Sequence, residues 1–288
     1  MSEKIKDLQS IIQILKDFWV KNGCVEILPY TESSIGAGTF HPVTALYALR
    51  PKNEGFCYVQ PSTRPTDGRY GESPNRLQQF LQFQAIIKPA PSNIKDIYLE
   101  SLQALGVSYK EHDIRFVEDD WESPTLGAFG LGWEVWCDGM EITQFTYFQK
   151  VGGIDVDVVP VEITYGIERL AMYITGCDNV YDLYWSLDQK IKYRDLFLES
   201  EVQYSKYNFE HANIDFLLLQ FKNCIQECKD LVQNNLPLPA YQQLTKATHA
   251  FNVLDARGYL GVNNRMLYIQ TIQEMAHKCC SLVIKEQE

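Results

Sequence analysis

Apolar residues recur at helical spacing near the start of the chain: Ile5, Leu8, Ile12, Leu15 and Trp19, with Ile11 and Phe18 widening the stripe. That period predicts an amphipathic helix, with Ser2 as its N-cap and Gly23 as its stop. The stripe gives way to "TESSIGAGTFHP", whose small residues predict a loop that feeds a short helix or strand at Pro42. "FCYVQPS" is apolar and aromatic, as a strand is. In "LQQFLQFQAIIKP" the period drops to two. Gln78, Phe80, Gln82 and Gln84 share one phase; Leu81, Phe83 and Ala85 share the other, with Leu77 in phase and Gln79 as the exception. The prediction is a strand with one apolar face and one polar face that carries an aromatic. With the strand before it, this makes an antiparallel hairpin closed by a long loop.

Helical spacing returns in "NIKDIYLESLQALG", closed by Gly106, and "HDIRFVEDDW" reads as strand and turn. "GWEVWCDGMEITQFTYFQKVGG" gives two strands around Asp138-Gly139, a strong hairpin signal. "VEITYGIERLAMYITG" starts as a strand and turns helical near Gly166, with Gly176 as its stop. From about Lys190 the strand patterns vanish. "FEHANIDFLLLQFKNCIQECKDLVQNN" and "NRMLYIQTIQEMAHKCCSLVIKEQ" both read as helices. The expected architecture is α+β: a mostly antiparallel sheet flanked by helices over 1–190, followed by an all-helical region over 191–288.

Composition narrows the function. The chain has 288 residues, 45% of them hydrophobic, enough for a sizeable core. Its formal net charge of −11 argues against broad phosphate neutralisation by the chain itself. The start is polar and no apolar run is long enough for a bilayer, so a cytoplasmic protein with no membrane partner is expected. The eight cysteines are scattered without a paired CxxC. Reduced thiols are the simplest expectation, and neither Cys224 with Cys228 nor His277 with Cys279 and Cys280 has zinc spacing. No strand-GxGxxG-helix or GxxxxGK[ST] is present.

Against that acidic background, "RPTDGRYGESPNR" gathers Arg64, Arg69 and Arg76 in one loop. A solvated hairpin loop is the plain reading. Yet Arg64 ends an apolar strand, and Arg76 precedes Phe80, Gln82 and Gln84 on one strand face. A guanidinium fork, an aromatic plate and amides together suit an anionic, planar ligand such as a nucleotide. In "VEITYGIERLAMY", Arg169 lies just inside a helix after Gly166; the plain alternative makes Glu168 and Arg169 surface charges. In "DGMEITQFTYF", Glu141, Thr143 and their alternates would share a strand face, which is either simply wet or working.

Three segments, in order, resemble the signature motifs of class II aminoacyl-tRNA synthetases, and most closely the glycyl-tRNA synthetase α subunit of the bacterial heterotetrameric type. "GAGTFHP" resembles motif 1, with Pro42 at the dimer interface; "RPTDGRYGESPNRLQQFLQFQ" resembles motif 2; "TYGIERLAMY" resembles motif 3. The run from "HDIRFVEDDW" to "FTYFQ", and "HAFNVLDARG" near the C-terminus, are also similar.

The resemblance implies that ATP activates glycine as glycyl-adenylate, and that the glycine then passes to tRNA(Gly). It implies that Arg64 bridges carboxylate and α-phosphate, Arg76 reaches the distal phosphates and Arg169 holds the γ-phosphate. Phe80 would stack on adenine, Gln82 would touch the nucleotide and Glu141 would hold Mg²⁺. Gln84, Glu162 and Thr164 would contact glycine, Glu162 through its ammonium; Gln84 stands where other glycine enzymes carry a carboxylate. Because a methylene is worth only about 1–3 kcal/mol, glycine must win by exclusion. Trp121 is the expected wall, while Trp133 and Trp136 are expected to pack in the core. For Arg69 the alternatives are contact with phosphate, contact with the tRNA end, or plain solvation. The implied assembly is an α homodimer joined to a larger β subunit, α2β2, with β providing most tRNA recognition and the C-terminal helices serving assembly. Two rivals fit the same residues: a ligase that adenylates another small acid without tRNA, and a silent synthetase-like binding module.

Overall fold

The computed structural model describes residues 7–32 and 34–285. Helix α1 (Leu8–Lys21) is capped by Asp7, whose Oδ1 accepts the Ser10 amide at 2.9 Å. Ile5 and Ser2, expected in this helix and as its cap, lie outside the described residues. The helix stops where expected, with Gly23 at φ +94°. Leu8, Ile11, Leu15 and Trp19 are its buried stripe.

The chain then forms β1 (Val25–Glu26), the short helix α2 (Pro42–Ala45), β2 (Glu54–Thr63), β3 (Gln79–Lys88) and α3 (Ile94–Ala104). Next come β4 (Ile114–Glu118), β5 (Trp121–Ser123), β6 (Ala128–Cys137), β7 (Met140–Val151), β8 (Ile154–Asp155), β9 (Val161–Gly166) and α4 (Ile167–Thr175). Among the described residues these strands make a nine-stranded sheet, ordered β1-β2-β3-β9-β7-β6-β4, with β5 on β6 and β8 on β7. Only the β1–β2 pair is parallel. The expected antiparallel sheet and both hairpins are therefore present. Asp138 and Gly139 turn the β6–β7 hairpin with positive φ at both positions.

The period-two reading of β3 also holds. Phe83 and Ala85 enter a core with Leu15 and Trp19 of α1, Tyr98 and Leu102 of α3, and Leu170 of α4. Trp19 Nε1 donates to Tyr165 OH at 3.2 Å within it. The opposite phase carries Phe80 and Gln82, which line the cleft described below, and Gln84, which lies beneath its floor.

Beyond α4, a short hairpin of β10 (Tyr184–Ser186) and β11 (Ile191–Lys192) precedes α5 (Tyr193–Lys206), α6 (Ile214–Gln233), α7 (Pro237–Ala256) and α8 (Val262–Lys285). Two details differ from the sequence expectation. Ile191–Lys192 still pairs as strand, because Lys190 turns the chain at φ +55°. "FEHANIDF" is not one helix: a π-helical turn at Tyr207–His211 ends before Asn213, whose side chain caps α6 by accepting the Phe216 amide at 2.9 Å. A second core joins Tyr241, Leu244 and Phe251 of α7 and Met275 and Cys279 of α8 to Leu46, Phe148 and Ile86. The helical region thus packs on the end of the sheet. No helix among the described residues is long and apolar enough to cross a membrane.

Candidate active site

Register decides which side chains meet. Across β3, β9 and β7, Gln84 pairs with Thr164 and Thr164 with Gln144; one step along, Ile86 pairs with Glu162 and Glu162 with Thr146. Alternate residues share a face, so these rows project together into one cleft. Its walls include Thr39, Arg64, Arg76, Phe80, Gln82, Trp121, Glu141, Thr146, Glu162, Thr164 and Arg169, around a cavity of about 350 Å³. Every residue named from the sequence as a site residue is here except Gln84.

Arg64 begins the loop after β2. Its Nε donates to the Gly36 carbonyl at 2.9 Å, and its guanidinium carbon lies 4.9 Å from the centre of the Phe80 ring. The cleft walls lower its pKa by desolvation, while Asp67 and Glu141 act to raise it. The guanidinium therefore lies over the ring in a cation–π contact. Arg76 approaches Asp67 at 3.6 Å across the same loop. Arg69 points elsewhere: its Nη1 donates to the carbonyls of Thr66 and Gly68 at 3.2 and 2.6 Å.

Arg169 Nη1 lies 2.7 Å from Glu141 Oε2. A strict alternation would have set Glu141 and Thr143 on one face. Instead the β6–β7 register shifts between Val135 and Trp136, opposite Glu141 and Thr143. An extra residue in one strand changes the phase of everything beyond it. Glu141 therefore meets Arg169, while the Thr143 hydroxyl, buried, accepts from Tyr98 OH at 2.9 Å. The plain alternative for Glu168 also fails. It is buried, accepting from the Leu81 amide and the Tyr193 hydroxyl, each at 2.9 Å, and burial pushes it up to about 7.

Glu162 is 1% exposed. Its two oxygens accept from the Thr39 hydroxyl at 3.0 and 2.8 Å. Burial pushes it up to about 8 against the lowering effect of that hydroxyl, and no cation opposes it. Gln84 lies behind: its Oε1 accepts from Thr164 Oγ1 at 2.7 Å, and its buried Nε2 has no hydrogen-bond partner among the described residues. A Cβ on Gly38 would fall 2.2 Å from that nitrogen, so glycine at 38 lets the loop lie over Gln84. Gln82 fixes the same loop, its Oε1 accepting from the Gly38 amide at 2.8 Å and the Ser62 hydroxyl at 3.0 Å. Thus Gln84 orders the floor, and Thr164 and Glu162 face the cavity.

Of the three tryptophans weighed, only Trp121 lines the cleft, with its ring edge on Phe148. Trp133 packs against the core and Lys95, and Trp136 Nε1 bonds Glu134. Sequence reasoning missed Thr39, Thr146, Asp119, Glu134 and Gln144 as lining residues. Thr39 lies inside "GAGTFHP"; the register shift that separates Glu141 from Thr143 hides Gln144 from strand phase, and nothing local distinguishes Asp119.

The donor set also suits a sparse Mg²⁺ site. Glu141 and Glu134 both border the cleft, and Mg²⁺ needs few protein carboxylates when phosphates complete its shell. Among the described residues there is no cluster of three or more ligands that would hold a metal without such a substrate.

Known proteins give the cleft its context. Two structures of pyrrolysyl-tRNA synthetase from Desulfitobacterium hafniense, one of them of PylSc, are similar to this chain at 14% identity each, with TM-scores of 0.47 and 0.46. They align over 65% of this chain and 74% and 76% of those chains. The family model for the glycyl-tRNA synthetase alpha subunit matches residues 8–288, from the first turn of α1 through the last helix. With the arginines, the aromatic plate and the buried carboxylate all inside that span, the chain belongs to the glycyl-tRNA synthetase alpha subunit family, a family of aminoacyl-tRNA ligases.

Proposed function

We propose that the chain joins glycine to ATP, forming glycyl-adenylate and pyrophosphate, and that with a β subunit it passes the glycine to tRNA(Gly). The observation that carries this reading is the pairing of functions in one cleft: a guanidinium stacked on Phe80, and a buried, cation-free carboxylate at Glu162. The first suits a nucleotide and the second a small ammonium.

The division of labour follows from charge. A carboxylate must approach an α-phosphate although both are anionic. Arg64 bridges them and stabilises the charge that grows in the transition state. Arg76 takes the distal phosphates and Phe80 stacks on adenine beside Gln82. Arg169 takes the γ-phosphate, exchanging part of its pairing with Glu141 for the substrate. Glu141, with Glu134 nearby, would hold Mg²⁺, which when bound neutralises phosphate charge. Glu162 receives the glycine ammonium, Thr164 and Gln84 shape the floor, and Trp121 closes the space a larger side chain would need. The net charge of −11 fits a chain that leaves most tRNA contact to its partner. An α2β2 assembly built on an α homodimer, working in the cytoplasm, is the proposed setting.

The test is amino-acid-dependent ATP–pyrophosphate exchange by the assembled complex. Exchange with glycine, and little with alanine, serine or acetate, is expected. Exchange that ignores glycine would overturn the reading in favour of another small acid; failure to bind millimolar ATP in calorimetry would favour a silent module.

A further inference from the structure

A buried carboxylate outside the cleft is held mainly by backbone amides, with the Arg69 charge as a smaller influence. Glu201, on α5, is 3% exposed. Its Oε1 accepts the Arg69 amide at 2.9 Å and its Oε2 accepts the Gln78 amide at 2.9 Å. One turn on, Ser205 Oγ accepts the Tyr70 amide at 3.0 Å and lies 3.3 Å from Glu201 Oε1. Amides from the two limbs of one loop therefore converge on a single helical turn. Asn75, Arg76 and Leu77, which lie between those limbs, line the cleft. Gln78 continues the connection, because its carbonyl accepts the Arg64 amide at 2.7 Å.

Packing supports the same placement. A Cβ on Gly68 would sit 2.8 Å from Ser205 Oγ and 2.9 Å from the Phe209 ring. At Gly71, where φ is +77°, it would sit 2.5 Å from Leu198 of α5. The loop is thus seated on α5 and the π-helical turn, and its glycines permit close docking. Arg257, at the end of α7, donates to the Phe209 and Ala212 carbonyls and braces that turn from behind.

We infer that Glu201 is a positioning residue for ATP: by accepting the amides of Arg69 and Gln78 it sets the loop that carries Arg76 and the strand end that carries Arg64. The inference rests on the functional reading above. Carboxylate-to-amide bonds are charge-assisted and directional, so they fix the loop before a phosphate arrives. Burial raises the pKa of this carboxyl, and the two amides, the Ser205 hydroxyl and the Arg69 charge counter that only in part. A residue from the helical region then acts on the phosphate end of the cleft and leaves the glycine end alone.

The experiment compares Glu201→Ala, Glu201→Gln and Ser205→Ala in the assembled complex by glycine-dependent pyrophosphate exchange. Glu201→Ala should raise the ATP KM about tenfold with the glycine KM within roughly twofold. Glu201→Gln keeps one acceptor oxygen but turns an amide NH2 toward the second N–H, so it should recover only part of that loss. Ser205→Ala, a milder change, should move the ATP KM alone in the same direction, and it carries the test if Glu201→Ala does not fold. An unchanged ATP KM, or ATP and glycine KM values rising in proportion, would overturn the inference. A wild-type complex with no glycine-dependent exchange would instead sink the functional reading; ATP affinity by calorimetry then decides Glu201 separately.

Discussion

Glycine binding should strengthen as pH rises toward 8, and Glu162 is the reason. In the empty cleft this carboxyl is pushed up to about 8 by burial. At pH 7, one unit lower, only about a tenth of the molecules carry the charge. Pairing with an ammonium needs the ionised form, so the free protein holds a proton that the complex lacks. Binding therefore releases a proton, and each pH unit below 8 withdraws about 1.4 kcal/mol, or about tenfold in affinity. Isothermal calorimetry of glycine at pH 6, 7 and 8, in two buffers of different ionisation enthalpy, reads both quantities. Affinity should rise about tenfold per unit up to pH 8 and level off above it. Proton release should approach one at pH 6 and shrink near pH 8. Glu162→Gln removes the charge but keeps the shape. Leaving an ammonium without its buried partner costs roughly 3–5 kcal/mol, so affinity should fall from about 10²-fold to several thousandfold and lose its pH dependence. Wild-type affinity that is flat from pH 6 to 8, or a Gln variant within about threefold of wild type, would refute the assignment.

Other outcomes follow from the same geometry. Arg64→Ala should lower glycine-dependent exchange by about 10²- to 10³-fold while the circular dichroism spectrum and Tm hold, because its side chain lines the cleft rather than the core; activity close to wild type would remove its bridging role. Trp121→Ala opens the wall that excludes larger side chains, so the preference for glycine over alanine in exchange should fall about tenfold, and an unchanged preference would show that another group sets the limit. The ligand-free protein should lose stability as pH rises from 5 to 8. Glu162, at about 8, and Glu168, at about 7, hold protons in the fold that the unfolded chain has already released; their two protons outweigh the opposite contribution of buried His249, at about 4, and His41, so the unfolded state binds fewer protons across that window. Asp138, drawn down to about 2 by the Tyr173 hydroxyl first and then the Asp113 amide, acts only at lower pH. A Tm that rises between pH 5 and 8, or a slope that Glu162→Gln leaves untouched, would contradict this.

The candidate site was legible wherever a side chain's direction follows from strand phase. Phe80 and Gln82 face the cleft because the β3 alternation puts them opposite Phe83 and Ala85 in the core. Glu162 and Thr164 were named through the family resemblance, and both line the cleft from β9. The rule failed at Thr143, since a register shift leaves no mark in residue type. It was silent on Thr39, whose meeting with Glu162 joins residues 123 positions apart. For Arg69 the sequence left phosphate, the tRNA end and solvent open; the fold turns its side chain onto the carbonyls of its own loop, with its charge felt by Glu201.

Read alone, the sequence determined the local periods, the hairpin at Asp138-Gly139, the helix stops at Gly23 and Gly176, and the identity of the cations. Those are short-range properties, set by steric preference and by which face of each element is apolar. Only the tertiary structure decided that the arginine loop is not a free hairpin tip. Glu201, 123 residues beyond Gln78, holds it from a helix that the sequence assigned to a separate region. It also decided that Glu162 is sealed from water and so titrates near 8. Both outcomes depend on what a distant segment places beside a polar group. Desolvation and hydrogen-bond partners are properties of that arrangement, not of the residue.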